Sequence, residues 1–212
     1  MIKLVAFDLD GTIADTIPMC IEAFKKAVSP YAGHTLTQEE IIQTFGLNEI
    51  GMIKAVVKEQ WENALHDFYI QYEELHYKCD APFEGIVDLI TNLNSKGIIV
   101  ALITGKGEES CEITLEQLKM THMFSDIMTG DEYKNCKSEC LSILRNKYNL
   151  CSEECIYVGD AVSDVIASND AGMKCLSAAW SKTADRDRLY AINGNNVCED
   201  IADLKKAIYA LT

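Results

Sequence analysis

The sequence predicts an α/β fold in which a Rossmann-like open parallel sheet carries helices on both faces and a small all-helical insert follows the first strand. Short apolar runs typical of strands buried on both faces recur along the chain, and segments with helical spacing lie between them. One long interval near the N terminus has helical spacing alone. Alternating strands and helices are typical of parallel sheets, so this interval is the one departure from a simple repeat.

The strands are predicted from apolar runs bounded by turn-forming or acidic residues. The first is MIKLVAFDLD at residues 1–10, whose apolar side chains would meet helices on both faces. Two other runs contain more polar residues and are weaker candidates, SDIMTG at residues 125–130 and NNVCED at residues 195–200. The remaining predicted strands are GIIVALITG at residues 97–105, CIYVGD at residues 155–160 and KCLSAAW at residues 174–180.

Between these strands, apolar residues at helical spacing predict helices over residues 85–97, 138–148 and 201–211. The residues from Thr16 to Ala81 show only such spacing and are too many for a single crossover. Within this interval TQEE at residues 37–40 is a capping box, which marks the start of a helix. We therefore predict two domains, a helical cap domain of residues 16–80 and a core domain of residues 1–15 and 81–212.

The charge balance limits the partners of the protein. The 212 residues include 33 Asp and Glu against 19 Lys and Arg, a net charge of −14. Such an acidic chain is not expected to bind nucleic acid or an anionic membrane surface. A small anionic substrate remains compatible, because one bound cation can reverse the local field. The sequence does not separate a monomer from a weak homodimer.

The nine cysteines are expected to be reduced thiols in a cytoplasmic protein. The first apolar run is interrupted at Asp8, which does not fit a signal peptide, and GIIVALITG is far shorter than the ~20 residues of a membrane span. The alternative is a zinc site built from two C-x₃-C pairs. Free thiols are favoured over that site, which would use Cys136, Cys140, Cys151 and Cys155.

Two aspartates stand two positions apart where the first strand ends. Asp8 and Asp10 would face the same way, and Gly11 can form the turn that follows. A second acidic pair, Asp160 and Asp164, follows another predicted strand. If both strands are central, the four carboxylates converge, and hard oxygen ligands of this kind suit Mg²⁺. The alternative is that each aspartate only forms a turn or caps a helix.

Four motifs follow one another along the chain, namely DLDGT at residues 8–12, LITGK at residues 102–106, KNCKSE at residues 134–139 and GDAVSD at residues 159–164. In this order they resemble the motifs of the haloacid dehalogenase superfamily, in particular its phosphatase branch with a C1 cap. The likeness is strongest to phosphoglycolate-phosphatase-like members and covers essentially the whole chain.

This resemblance implies roles for single residues. Asp8 would be the nucleophile that forms an aspartyl-phosphate, and Asp10 the general acid and base. Thr104, the neighbouring Gly105 and Lys137 would bind the substrate phosphate. Mg²⁺ would be held by Asp8, by Asp160 and by the backbone carbonyl of Asp10, with Asp164 acting behind them or through water.

The implied activity is hydrolysis of a small phosphorylated metabolite. A β-phosphoglucomutase-type phosphomutase, or a pyrophosphatase or nucleotidase of the same family, is the alternative, and dehalogenation is not expected. The chain departs from the family pattern in places. Gly105 stands where relatives usually have Asn or Ser, Ser138 stands where Pro is common, and residues 181–196 carry few landmarks. Lys134 is the alternative to Lys137 as the phosphate lysine.

Overall fold

The computed structural model describes residues 1–211, and at its centre lies one sheet of parallel strands. The strands are β1 (Leu4–Phe7), β2 (Ile99–Ile103), β3 (Asp126–Met128), β4 (Cys155–Gly159), β5 (Lys174–Ala178) and β6 (Val197–Cys198). Their order across the sheet is β3-β2-β1-β4-β5-β6. The chain therefore adds strands on one side of β1 first and on the other side later, which makes the β1/β4 boundary the switch point where open α/β sheets bind ligands.

Ten α-helices are found in the described part of the chain; five lie between β1 and β2, and four of these five fall within residues 16–80, the predicted insert. No helix within residues 1–211 combines the length and the apolar character needed to cross a bilayer. The helices are α1 (Ile17–Ala32), α2 (Gln38–Ile42), α3 (Glu49–Val56), α4 (Trp61–Leu75), α5 (Ile86–Ser95), α6 (Glu108–Gln117), α7 (Lys137–Lys147), α8 (Val162–Asp170), α9 (Arg186–Asn193) and α10 (Ile201–Tyr209).

Strand β1 is buried on both faces, as its continuous apolar run predicts. Val5 and Phe7 belong to one apolar cluster, and Leu4 and Ala6 belong to a second cluster on the other face of the sheet. Phe7 pairs in register with Leu102 of β2 and Val158 of β4. Because the three strands are parallel, the residues that follow them emerge side by side at one edge of the sheet.

The predicted fold class is confirmed, and both weak strand candidates form strands at the edges of the sheet. β3 and β6 are only 3 and 2 residues long, which explains why their apolar signals were weak. Three helices, α6, α8 and α9, lie outside the predicted segments, and α9 falls in the polar stretch 181–196. The later part of the predicted insert forms two separate helices, since Gln60 at φ 61° lies between α3 and α4.

The helices of the insert share an aromatic core. Phe68 of α4 is fully buried and meets Phe24 of α1 edge to face, with ring centroids 5.8 Å apart. The TQEE capping box forms as expected, with Thr37 and Glu40 each bonding the other's backbone N–H. The aromatic core is continuous with the apolar cluster on the Phe7 face of the sheet. The division of the chain into two domains stays a prediction.

We expect Phe68→Ala to lower the free energy of unfolding by about 3–5 kcal/mol, because the truncation leaves a cavity in the aromatic core. Ile70→Ala in the same helix is the matched control. Its side chain is 43% exposed, so its loss should change stability by less than about 1 kcal/mol. Urea titration followed by circular dichroism measures both values. Equal effects of the two substitutions would contradict this packing.

Candidate active site

The ends of three adjacent strands bring the predicted site residues together. Asp8 follows β1, Thr104 follows β2 and Asp160 follows β4. Lys137, the first residue of α7, reaches the same place from outside the sheet. All four side chains are buried. The acidic and hydroxyl groups thus arrive from neighbouring strands, whereas the cation comes from a separate helix.

Asp8 is held in a fixed orientation by two donors. Its Oδ1 accepts a hydrogen bond from the Leu9 backbone N–H at 2.8 Å, and its Oδ2 lies 2.7 Å from Lys137 Nζ. Burial raises the pKa of Asp8 to about 7, an effect that Lys137 opposes and that Asp164 and Asp10 reinforce. The carboxylate therefore lies in a site where excess negative charge is costly unless a cation is present.

The Lys137 ammonium is shared between two buried carboxylates. Its Nζ lies 2.7 Å from Asp8 Oδ2 and 2.6 Å from Asp164 Oδ1. Burial alone would lower the pKa of Lys137, but Asp164 and Asp8 raise it well above its usual value. Lys134, the alternative phosphate lysine, points elsewhere and pairs with Glu139 at the surface at 2.5 Å. The lysine next to the predicted nucleophile is therefore Lys137.

Three of the four predicted acidic residues form a group that could hold a metal ion. Asp8, Asp160 and Asp164 each offer one carboxylate oxygen, and these atoms lie within 4.8 Å of one another. Burial, and then the charges of Asp164 and Asp8, raise the pKa of Asp160 well above its usual value. Oxygen donors at this spacing fit a hard divalent cation such as Mg²⁺, which would offset the repulsion that raises this pKa.

The turn after β1 is built for a close approach to Asp160. Gly11 has φ 73°, a conformation that other residues rarely adopt. A Cβ at this position would lie 2.2 Å from Asp160 Oδ2. The glycine of DLDGT thus serves both the turn and the packing of the acidic group.

The Asp10 side chain lies apart from the other three carboxylates. Its Oδ1 accepts a hydrogen bond from the Thr16 hydroxyl and lies 3.3 Å from Lys106 Nζ. The side chain keeps 24% of its surface exposed and lines the same cavity as Asp8. The expected convergence of four carboxylates is therefore seen for three of them. Metal binding through the Asp10 backbone carbonyl stays a prediction.

Lys106 is a second buried cation to which the sequence analysis assigned no role. Only 3% of its side chain is exposed, and its Nζ lies 4.4 Å from the centre of the Tyr72 ring. Burial would lower the pKa of Lys106, but Asp10 and then Tyr72 raise it well above the usual value. The sequence feature that could have indicated a role for Lys106 is its position at the end of LITGK, directly after the proposed phosphate-binding Gly105.

The loop after β2 keeps a hydroxyl donor free for a ligand. Thr104 is buried, and its Oγ1 accepts a hydrogen bond from the Lys106 backbone N–H at 3.2 Å. The hydroxyl proton can still be donated. Gly105 lines the cavity, and a Cβ built there would meet nothing within 4 Å.

The helical insert closes the cavity from above and binds the loop after β2. The Glu49 carboxylate at the start of α3 accepts hydrogen bonds from the Gly107 backbone N–H at 2.6 Å and from the Ser110 hydroxyl at 2.5 Å. Asn48 donates its backbone N–H to the Asp131 carbonyl at 2.9 Å. The cavity between the insert and the sheet measures about 150 Å³ and is open to solvent on one side. Its walls include Asp8, Lys137 and Asp160 below, and Phe45, Leu47 and Met52 of the insert above.

The cysteines do not form the alternative zinc site. Among residues 1–211, the group of Asp8, Asp160 and Asp164 is the one cluster of three or more ligands close enough to share a metal. All nine cysteines are free, as expected. Two of them, Cys136 and Cys140, lie in contact, with their Sγ atoms 3.7 Å apart.

Comparison with known proteins gives matches along nearly the whole chain. The family model described as haloacid dehalogenase-like hydrolase matches residues 5–178. The chain is 28% identical over 184 residues to a phosphoglycolate phosphatase of Vibrio cholerae, covering 81% of each chain. It is 24% identical over 209 residues to pyrophosphatase PpaX of Anoxybacillus flavithermus, covering 96% of this chain and 95% of that one. The crystal structure of a hydrolase from Pseudomonas syringae is similar in fold, with a TM-score of 0.81, 23% identity and 99% of each chain covered.

The pKa of Asp8 predicts how stability depends on pH in metal-free protein. Its folded pKa of about 7 exceeds the ordinary value of 3.8, so the folded state binds this proton more tightly than the unfolded state does. The contribution of Asp8 to stability therefore falls as pH rises from about 4 to about 7. We expect Asp8→Asn to remove this fall. Between about pH 4 and about pH 7, the free energy of unfolding of the variant should therefore rise by up to about 4 kcal/mol relative to that of the wild type.

Urea unfolding in chelator at a series of pH values measures the difference. Asp80→Asn is the matched control, because it makes the same carboxyl-to-amide change at an exposed position. Parallel stability curves for wild type and Asp8→Asn would contradict the raised pKa.

Proposed function

The chain belongs to the haloacid dehalogenase-like hydrolase family, and from this premise we propose that it is a Mg²⁺-dependent phosphatase of small phosphorylated metabolites. The observation that carries the proposal is the buried contact of 2.7 Å between Asp8 and Lys137 at the floor of the cavity. A carboxylate can attack an anionic phosphoryl group only if nearby cations offset the repulsion between them. Here one lysine and one predicted metal site adjoin the same carboxylate.

Asp8 is the proposed nucleophile. Its carboxylate oxygen would bond to phosphorus as the bond to the leaving oxygen breaks, which yields an aspartyl-phosphate that water later hydrolyses. Lys137 would hold the phosphoryl oxygens through charge, and the Thr104 hydroxyl would donate a hydrogen bond to them. Mg²⁺ held by Asp8 and Asp160 would supply further positive charge at the phosphoryl group when bound.

Asp10 is the proposed acid and base. Its two contacts with Thr16 and Lys106 both fall on Oδ1, so Oδ2 is the oxygen available to carry the proton. That proton would pass to the leaving oxygen in the first step, and Asp10 would take one from the attacking water in the second. Thr16 and Lys106 fix the orientation of the carboxylate, since both approach the same oxygen.

Asp164 is proposed to position the lysine. Its Oδ1 lies 2.6 Å from Lys137 Nζ, and its Oδ2 accepts the Ala161 backbone N–H at 2.9 Å. The carboxylate thus links the start of α8 to the ammonium that faces Asp8. It would keep Lys137 in place when Asp8 becomes phosphorylated and can no longer bind the ammonium with the same charge.

The second buried lysine favours a substrate with a second anionic group. Phosphoglycolate and pyrophosphate, named in two relatives, both carry one beside the phosphoryl group. Lys106 lines the cavity on the Asp10 side, whereas Lys137 lies beside Asp8. We therefore propose phosphoglycolate as the first substrate to test and pyrophosphate as the second, with Lys106 bound to the group that is not transferred.

We expect release of phosphate from phosphoglycolate in the presence of Mg²⁺ and none in chelator. Asp8→Asn should lower kcat by at least about a thousandfold, because an amide cannot form the phosphorylated intermediate. A malachite green assay over a panel of small phosphates measures both. A phosphate release that survives Asp8→Asn would contradict the proposed nucleophile. Turnover of sugar phosphates only with a bisphosphate activator would favour the mutase alternative.

We expect Lys106→Met to raise KM for phosphoglycolate by about 10- to 100-fold, which corresponds to the loss of one charged hydrogen bond. The same change should alter KM for p-nitrophenyl phosphate much less, since its leaving group carries no second anion. Lys134→Met is the matched control, because this lysine is exposed and pairs with Glu139. Equal effects of Lys106→Met on KM for both substrates would show that Lys106 does not bind the second anionic group.

A further inference from the structure

Two thiols lie in contact at the N terminus of α7, beside the lysine of the site. Cys136 is the residue that caps the helix, and Cys140 lies in its first turn. Their Sγ atoms are 3.7 Å apart, and Lys137 is the helical residue between them that reaches Asp8. The proposed function uses neither cysteine.

The environment of Cys136 sets it apart from the buried thiols of the chain. It is partly exposed, and its Sγ accepts a hydrogen bond from the Cys140 thiol, which is buried. This hydrogen bond lowers the pKa of Cys136 to about 6, against the opposing effect of partial burial. Burial instead raises the pKa of six others, namely Cys20, Cys79, Cys111, Cys155, Cys175 and Cys198.

We infer that Cys136 is a site of oxidation by hydrogen peroxide and that Cys140 resolves the product into a disulfide. The Cys136 thiolate attacks one peroxide oxygen, the O–O bond breaks, and after protonation the products are a sulfenic acid and water. The Cys140 sulfur then attacks the Cys136 sulfur and expels the hydroxyl group as a second water. In total, two thiols lose two electrons and two protons, and one peroxide becomes two waters.

The disulfide would disturb the helix that carries Lys137. Residues four apart in a helix have Cβ atoms about 5–6 Å apart, whereas a disulfide needs about 3.5–4.5 Å. The first turn of α7 must therefore deform when the bond forms. Lys137 opens this turn, and its ammonium is placed to within hydrogen-bond distance of Asp8 and Asp164, at 2.7 and 2.6 Å. Oxidation should pull the ammonium away and inhibit the enzyme, a consequence that rests on the proposed function.

Trypsin gives a direct readout of the bond, because cleavage after Lys134, Lys137 and Arg145 separates the two cysteines. Peptides 135–137 and 138–145 stay joined only if Cys136 and Cys140 are linked. The intact protein is treated with hydrogen peroxide, its free thiols are alkylated, and the unreduced digest is analysed by mass spectrometry. We expect the joined pair in the wild type, and its loss in Cys140→Ser and Cys136→Ser. Absence of the pair while the exposed Cys151 becomes oxidised would overturn the proposal.

Activity of the same samples tests the consequence. We expect phosphatase activity to fall in proportion to the fraction of molecules with the joined peptides, by at least tenfold when that fraction is complete. Dithiothreitol should restore the activity. Cys151→Ser is the matched control and should behave as the wild type. A joined pair without loss of activity would overturn the inhibition. A protein without phosphatase activity before oxidation would refute the proposed function, while the peptide readout would still decide whether the bond forms.

Discussion

The buried Lys137 ammonium between Asp8 and Asp164 is the interaction on which the site depends. Lys137 begins α7, Asp8 follows β1 and Asp164 lies in the first turn of α8. Along the chain, Lys137 is 129 positions from Asp8 and 27 positions from Asp164. Removing one partner of a buried ion pair leaves an uncompensated charge, which typically destabilises a protein by about 3–5 kcal/mol. The helices around the sheet must therefore pack so that three charged groups meet within hydrogen-bond distance, and this need limits how α7 and α8 can be placed.

The net charge of the protein opposes an anionic ligand, whereas the cations of the cavity favour one. A net charge of −14 opposes the approach of an anion from a distance. The cavity is itself lined by four carboxylates, Asp8, Asp10, Glu49 and Asp160, against two buried lysines, so an anion is favoured there only once a cation occupies the predicted site. Selectivity for small anions would then arise at the cavity, since a large polyanion meets the acidic surface and cannot reach these cations.

Much of the fold could be predicted from the sequence, because buried parallel strands leave continuous apolar runs such as that of Leu4–Phe7. The meeting of Asp8 and Asp160 also followed from the ends of two neighbouring strands, whereas Asp164 joins them from the first turn of α8. The position of the Asp10 carboxylate did not, since the chain leaves the strand after Phe7 and the period-2 alternation no longer holds. The burial of Lys106 against the Tyr72 ring could not be predicted either, because Tyr72 lies in α4, far away in the sequence. The interruption between α3 and α4 at Gln60 was not predicted, because the spacing of the apolar residues continues across it.

The contacts of Glu49 with Gly107 and Ser110 connect the insert to the loop after β2. A helix N terminus is a ready site for an anion, because its first N–H groups have no partner in the helix. In this protein the anion is supplied by the insert itself, and Glu49 accepts from Gly107 N–H and from Ser110 at the start of α6. When the insert lies over the loop, Glu49 already places a carboxylate at that helix end, so a second anionic group would meet like charge there. Under the proposed function, the second anionic group of the substrate would instead bind Lys106, directly before Gly107 in the chain. The contact of Glu49 with Gly107 and Ser110 therefore couples the position of the insert to the loop from Thr104 to Gly107, and under the proposed function this loop carries the cation that the second anionic group would meet.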